Sequence, residues 1–256
     1  MSKNKKIYFA SDVHLGAPAL KNNRERELLF VKWLDTVKAD AEAIYLMGDI
    51  FDFWFEYKRA VPRGFTRVLG KLAEITDSGI PVHFFTGNHD IWVFDYLPSE
   101  TGVILHRDIV KTELQGKKFF LGHGDGLGPY DKGYKILKKI FTNKFLQWAF
   151  ARVHPNFAIW LAHNWSGHSR LKNGKIEADT FRGEDKEWLV LYAKDELKKE
   201  HFDYFVFGHR HWPCNINLND ESRYINTGDW VTHYTYAVLD NGVMELKEFE
   251  KPISNH

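Results

Sequence analysis

The sequence holds one cysteine, Cys214, so no disulfide can form within the chain. That excludes a small scaffold stapled by disulfides and favours a reducing compartment, with Cys214 read as packing rather than chemistry. Long apolar runs are also missing, and none approaches the roughly 20 residues of a membrane span. The basic start, Met1 to Lys6, is followed only by Ile7 to Ala10 before Ser11 and Asp12 intervene. That run is too short for the apolar region of a signal peptide, and a cytoplasmic location is the expectation. An excess of charge is absent too. The formal net charge is +1 over 256 residues, so the bulk balance names no polyanionic partner. Internal repeats and low-complexity segments are not seen. What remains is 44% hydrophobic and 27% charged, the mixture of a soluble globular protein, and residues 1–256 read as a single domain.

Along the chain, Ile7 to Ala10 reads as a buried strand. Phe30, Trp33, Leu34 and Val37 follow helical spacing. Ile44 to Met47 is a second strand. Phe65, Val68, Leu69, Leu72 and Ile75 mark a second amphipathic helix, stopped by Gly79 and Pro81. Val82 to Phe85 is a third strand. This alternation predicts a parallel sheet sandwiched by helices, with chemistry at the carboxyl ends of its strands. Val110 to Leu114 and Lys117 to Leu121 flank Gln115-Gly116 as a hairpin. Residues 131–175 read as helical, Glu187 to Lys199 as a further helix, and Tyr204 to Phe207 as a strand. Strands around Asn219-Asp220 and Asn241-Gly242 turns complete the chain.

Five segments stand directly after apolar runs: Ser11-Asp12-Val13-His14, Gly48-Asp49-Ile50-Phe51-Asp52, Gly87-Asn88-His89-Asp90, Gly122-His123-Gly124-Asp125 and Gly208-His209-Arg210-His211. Each offers oxygen or nitrogen donors of the kind Mn²⁺, Fe²⁺ or Zn²⁺ accepts. On extended backbone, residues i and i+2 point the same way, so Asp12 with His14, and His209 with His211, can each converge on one ion. Taken alone, Asp-x-His is mostly a surface turn, and thirteen histidines make chance pairs common. Five such segments in order, each at a strand end, are a far more specific signal. His89 adjoins Asn88 and is expected to face a bound phosphate.

Asp-x-His, Gly-Asp-x-x-Asp, Gly-Asn-His-Asp, His-Gly-Asp and Gly-His-x-His, in this order, resemble the calcineurin-like metallophosphoesterase family. The resemblance implies an α/β (α+β sandwich) fold in which two central β-sheets are flanked by helices. It also implies two divalent metals, one held by Asp12, His14, Asp49 and His211 and the other by Asp49, Asn88, His123 and His209, with Asp49 bridging. It further implies a catalytic pairing of His89 with Asp52, a buried carboxylate holding the imidazole protonated. The family hydrolyses phosphate esters, its cations activating water and neutralising phosphoryl oxygens.

Residues 131–175 carry nine basic residues against one acidic residue, Asp131. Aromatics such as Tyr134, Phe141, Trp148, Phe157 and Trp160 are interleaved with them. Ile136, Leu137, Ile140 and Phe141 fall on one helical face, and Lys132, Lys135, Lys138 and Lys139 on the other. Three readings stand: a membrane-surface element, an apolar cleft with a cationic mouth, or an ordinary helical cap with its apolar face on the core and its lysines solvated. Binding of single-stranded nucleic acid is disfavoured by the lack of a wider basic surface.

Finer features are similar to the UDP-2,3-diacylglucosamine diphosphatase branch of lipid A biosynthesis: Gly48 to Trp54, the run from His123 to Asp131 and Tyr134, Trp165-Ser166-x-x-Ser169-Arg170, and Asn226-x-Gly228-Asp229-Trp230. That resemblance implies hydrolysis of the lipid-linked pyrophosphate to UMP and 2,3-diacylglucosamine 1-phosphate. It implies Mn²⁺, with Fe²⁺ or Zn²⁺ as other candidates, and a peripheral position on the anionic inner face of the cytoplasmic membrane. A helical cap insertion, residues 130–180, would hold the acyl chains. Asn88, His89, Asp131, Tyr134, Ser166, Arg170 and His209 would contact substrate. Well-known members of that branch carry Arg where this chain has His89, whereas the wider family carries His. The alternatives are a phosphodiesterase or phosphatase acting on a soluble nucleotide or other diester, and a non-catalytic metal-binding scaffold.

Overall fold

A computed structural model of the chain describes residues 5–20, 22–129, 132–172, 181 and 183–250, with side chains for all of these except residues 132, 163 and 165–172. Its elements run β1 (Lys6–Ala10), α1 (Asn23–Val37), β2 (Ala41–Leu46), α2 (Thr66–Asp77), β3 (Val82–Phe85), α3 (Tyr96–Thr101), β4 (Ile104–His106), β5 (Val110–Leu114) and β6 (Lys117–Leu121). There follow α4 (Lys132–Thr142), α5 (Lys144–Phe150), α6 (Pro155–Lys172), α7 (Trp188–Leu197), β7 (Tyr204–Phe207), β8 (Cys214–Asn217), β9 (Arg223–Asn226), β10 (Thr235–Asp240) and β11 (Val243–Glu248).

The strands form two sheets, ordered β11-β10-β1-β2-β3-β4 and β5-β6-β7-β9-β8. Strands β1 to β4 are mutually parallel, as are β6, β7 and β9. The outer strands β10, β11, β5 and β8 add on antiparallel. Side-chain alternation sets the layers. In β1, Tyr8 and Ala10 pack beneath α1 and α2 with Phe30, Trp33, Leu34 and Leu72. Ile7 and Phe9 point the other way, meeting Phe119, Leu121, Val206 and Ile225 of the second sheet. On that sheet's outer face Phe120, Phe205 and Phe207 pack with Leu189 and Val190 of α7.

The order of layers is therefore helix, sheet, sheet, helix, as the family resemblance implied. The strand–helix alternation alone predicts helices on both faces of one parallel sheet, and here the structure differs. Both faces of β1–β3 are apolar, but one face is covered by a second sheet instead of by helices. The short elements α3 and β4 were not expected, because six and three residues are too few to show a period.

Glu56 supports α3 from outside it. Its buried carboxylate accepts the backbone N–H groups of Phe94, Asp95, Tyr96 and Leu97 at 2.7–3.2 Å, and the Trp54 indole N–H at 3.0 Å. These are N–H groups at a helix start that have no partner inside the helix. Glu56→Ala is expected to destabilise the protein by about 3–5 kcal/mol, since it strands several buried donors at once. Glu56→Gln should cost clearly less. Urea unfolding curves with unchanged slope would check this, and equal stability of wild type and Glu56→Ala would refute it.

Candidate metal centre

Parallel strands end at a common edge, and here two parallel groups bring their ends together. The segments following β1, β2 and β3 meet those following β6 and β7. Asp12, His14, Asp49 and His123 are buried, while Asn88, His209 and His211 are half-buried. Two groups result. In one, Asp12 Oδ1 lies 3.3 Å from His211 Nε2 and 3.8 Å from His14 Nε2, and the two imidazole nitrogens are 3.2 Å apart. In the other, His123 Nε2 lies 3.3 Å from Asp49 Oδ2 and 3.2 Å from Asn88 Oδ1, which is 2.9 Å from His209 Nδ1. Asp49 Oδ2 stands 3.9 Å from His14 Nε2, so this carboxylate lies between the groups.

The backbone that achieves this is not extended. Asp12, His14, Asp49, His209 and His211 all have positive φ, between 48° and 67°. For non-glycine residues such conformations cost about 1–3 kcal/mol each and persist where the surroundings over-determine them. Asp12 and His14 do share a group, though through left-handed backbone. His209 and His211 separate, His209 joining Asp49 and His123 while His211 joins Asp12 and His14. The i, i+2 argument from extended backbone therefore fails for the second pair. Close approach of the loops also needs glycine. A Cβ on Gly87 would fall 2.2 Å from Asp49 Oδ1, and one on Gly208 would fall 2.6 Å from Asp12 Oδ2.

The donor set suits divalent cations. Asp12 Oδ1 is buried without a hydrogen-bond partner, which is costly unless a cation faces it. Burial pushes His14 and His209 down to about 3, so both rings are neutral at pH 7 with a lone pair to give. Burial also raises Asp12, despite His211 and His123 nearby. Asp49 differs. Burial opposes its ionisation, but His123, His89 and His14 outweigh it and hold the carboxyl well below its ordinary value. Burial likewise lowers His123, yet Asp49 beside it and Asp12 beyond raise it to about 10. A cation between Asp49 and His123 replaces the proton that this pair otherwise keeps.

Three histidines have their second ring nitrogen engaged, which sets the tautomer and aim of each. His123 Nδ1 donates to the Met47 carbonyl at 2.8 Å. His14 Nδ1 faces Asp52 Oδ1 at 3.4 Å, and His211 Nδ1 faces Asp229 Oδ2 at 3.3 Å. The expected pairing of His89 with Asp52 takes a different form. The His89 ring donates through Nδ1 to the Asp52 backbone carbonyl at 2.8 Å, while the carboxylate stands 3.5 Å away and serves His14. The His89 backbone N–H reaches Asp49 Oδ1 at 2.8 Å, tying this ring to the shared carboxylate.

Two carboxylates escaped assignment at the sequence level. Asp90 is fully buried and accepts from the N–H groups of Gly87, at 2.7 Å, and Ile50, at 2.9 Å, joining the loops after β3 and β2. Burial first, then Asp49, push it up to about 7. Asp229 lies in a sixth strand-end segment, after β9. It accepts from the N–H groups of Thr232 and His233 at 2.9 and 2.8 Å, and its carboxyl is held far below the usual range: burial opposes this, and His211 and His233 overcome it. Its position at a strand end was the available signal.

Beside the centre opens a cavity of about 550 Å³. Asp52, Asn88, His89 and Tyr134 line one part of it, and Leu137, Phe141, Leu146, Phe150, Val153 and Leu161 line the rest. Asp131 and the side chains of Ser166 and Arg170 lie outside the described residues. A larger polar depression of about 960 Å³, around Lys117, Asp203 and Arg223, shares none of these residues and sits at the opposite ends of the strands. Of the three readings of this segment, the ordinary cap with its apolar face on the core and its lysines solvated is not what forms at α4. Ile136 and Ile140 are exposed, while Lys138 bonds buried Asp125 at 2.7 Å and Lys135 bonds the Gly128 carbonyl.

The model of the calcineurin-like phosphoesterase family matches residues 5–213. A UDP-2,3-diacylglucosamine hydrolase of Porphyromonas gingivalis is 39% identical over 256 aligned residues, covering 96% of this chain and 98% of that protein. Enzymes of the same name from Aeromonas hydrophila and Vibrio parahaemolyticus are 27% and 28% identical, covering 94% and 93% of this chain. Asp229→Asn is expected to weaken cation affinity about 10–100-fold by freeing the His211 ring. Calorimetric titration of the metal-free protein with Mn²⁺ would measure it, and an unchanged isotherm would remove Asp229 from the site.

Proposed function

The chain belongs to the calcineurin-like phosphoesterase family, and on that footing we propose that it hydrolyses the pyrophosphate of UDP-2,3-diacylglucosamine to UMP and 2,3-diacylglucosamine 1-phosphate. It is a hydrolase by family and by its relatives. The observation that carries the substrate is the continuity of the centre with the cavity, polar at Asn88 and His89 and apolar beneath α4–α6. A diphosphate flanked by acyl chains has the same two-part character. Each buried methylene contributes about 0.8 kcal/mol, so the apolar part holds the lipid while the polar part orients the phosphorus.

Asp12, His14, Asp49 and His211 would hold one cation, and Asp49, Asn88, His123 and His209 the other; the oxygen donors suit Mn²⁺, the ion the branch resemblance implies, and the imidazoles also admit Fe²⁺ or Zn²⁺. Bound there, the cations supply Lewis acidity and a water acidic near neutral pH. The chain's own groups do the rest. His89, with Nδ1 committed to the Asp52 carbonyl, keeps Nε2 for the substrate; in the imidazolium form its Nε2–H would donate to a phosphoryl oxygen or pass its proton to the leaving group, returning the ring to the neutral Nδ1–H tautomer. Trp92, Phe141 and Phe150 close the wall nearby, their rings 4.8–5.2 Å apart, and exclude water. Tyr134 adds a hydroxyl at the polar part.

Of the proposed insertion 130–180, the described residues 132–172 would form a helical cap within the one domain, and the cap would also meet the membrane. No helix among the described residues is long and apolar enough to cross a bilayer. Phe145, Trp148, Phe157 and Trp160 are each more than half exposed, at 70, 53, 54 and 58%, with Lys139, Lys144 and Arg152 exposed beside them. Aromatics among cations suit an anionic lipid surface, which supports a peripheral position at the inner face of the cytoplasmic membrane.

A Mn²⁺-dependent assay of UDP-2,3-diacylglucosamine against soluble nucleotides and diesters tests the proposal. Preference for the diacylated substrate is expected, and faster cleavage of a soluble diester would overturn it. His89→Ala should lower kcat by about 10²–10⁴-fold at unchanged metal content, and full activity would remove His89 from the mechanism. In sedimentation with anionic vesicles the protein should bind, less so at high salt, and the Trp148→Ser, Trp160→Ser double variant should stay in solution. Equal binding by that variant would exclude this surface.

A further inference from the structure

Between His209 and His211 stands Arg210, whose guanidinium is bound to the start of α7. Its Nε donates to Glu187 Oε1 at 2.6 Å and its Nη2 to Oε2 at 3.3 Å. The pair is largely buried, with Glu187 only 4% exposed. Glu187 occupies the N-cap position of α7, yet its side chain makes no capping bond to that helix.

The backbone on either side of Arg210 is strained. The Arg210 N–H donates to the Gly208 carbonyl at 2.8 Å, and the Trp212 N–H to the Arg210 carbonyl at 2.6 Å. His209 and His211 thus each centre a three-residue turn, with φ of 67° and 58°, the rare and strained hand of that turn. One turn sends His209 toward Asn88 and the other sends His211 toward Asp12. Arg210 is the joint between them. The next residues of α7 extend the contact. The Trp188 ring stands edge-on to His209 at 5.9 Å, and Leu189 Cδ1 would lie 3.0 Å from a Cβ on Gly124, next to His123.

We infer that Glu187 is a positioning residue for the dinuclear centre: by pinning Arg210 it sets the angle between the two strained turns, and so the spacing of the two cation sites. A forked, two-point ion pair resists rotation in a way that a single hydrogen bond does not. The inference rests on the metal-centre reading above, but it concerns a residue outside every motif that suggested that reading.

Mn²⁺ titration of the full-length protein without substrate tests it, followed by calorimetry and electron paramagnetic resonance. Wild type should bind two ions with the spin-coupled spectrum of a close pair, and failure there would sink the metal-centre reading itself. Glu187→Met combined with Arg210→Met removes both charges and leaves none stranded. Arg210→Lys keeps the charge and loses the fork. Both should retain a cooperative thermal transition, bind the second ion about 10–100-fold more weakly, and show largely uncoupled Mn²⁺, the lysine variant less severely. Wild-type affinity and coupling in either folded variant overturns the inference. So does unfolding of both, which would make the pair a requirement of the fold instead of cation spacing.

Discussion

Asp12 and Asp49 are carboxylates with essentially no solvent exposure, placed where two sheets bring their strand ends together. Burying an ionised carboxylate costs several kcal/mol unless opposite charge and hydrogen bonds answer it. The structure around them can be read as that answer. Asp12 Oδ2 takes the His209 N–H and the Ser11 hydroxyl, and Asp49 Oδ1 takes the His89 N–H. The remaining oxygens, Asp12 Oδ1 and Asp49 Oδ2, face imidazole nitrogens across the space where cations fit.

Such a site cannot be built from relaxed backbone alone. Five of the seven candidate ligand residues have positive φ. The strain is held by bonds reaching in from outside the ligand set: Asp90 on the loops after β2 and β3, Asp229 on the segment carrying His211, and Glu187 on Arg210. Each is a buried carboxylate tied to backbone N–H groups, a histidine or an arginine. If the seven residues hold cations as proposed, these bonds would preorganise them for binding.

The body and the α4–α6 region differ in packing. Beneath α1, Phe30, Trp33 and Trp230 are fully buried with ring centroids 5.0–5.3 Å apart, and the Trp230 N–H bonds the Asp12 carbonyl at 3.1 Å. The site therefore rests on a fully buried part of the core. Among the described side chains of α4–α6 only Ala158 is buried. Few buried apolar contacts put this region at the low-stability end of the fold, which suits a wall that must admit a large substrate. It is joined to the body at a few points, such as Lys138 on Asp125 and the Trp92 indole N–H on the Phe141 carbonyl.

Much of this was legible in the residue order. Short apolar runs ending in glycine and a candidate ligand mark β2, β3, β6 and β7, and one ending in Ser11-Asp12 marks β1, because a strand's burial pattern and the residues that end it are local properties. The candidate ligands were read from donor chemistry, and their order carried the family resemblance. The second sheet as the cover for the first was implied only by the family resemblance and not by the strand–helix alternation, since an apolar strand face does not state what will cover it. The divergence of His209 and His211 was likewise implied by the family resemblance and not by their spacing. Their spacing suggests one direction on extended backbone, and only the strained turns about Arg210, held by a glutamate over twenty residues earlier, separate them. Sequence alone determined which atoms are available to cations and phosphate. Tertiary structure decided which of them face one another, because that depends on buried partners distant in the chain that no local pattern encodes.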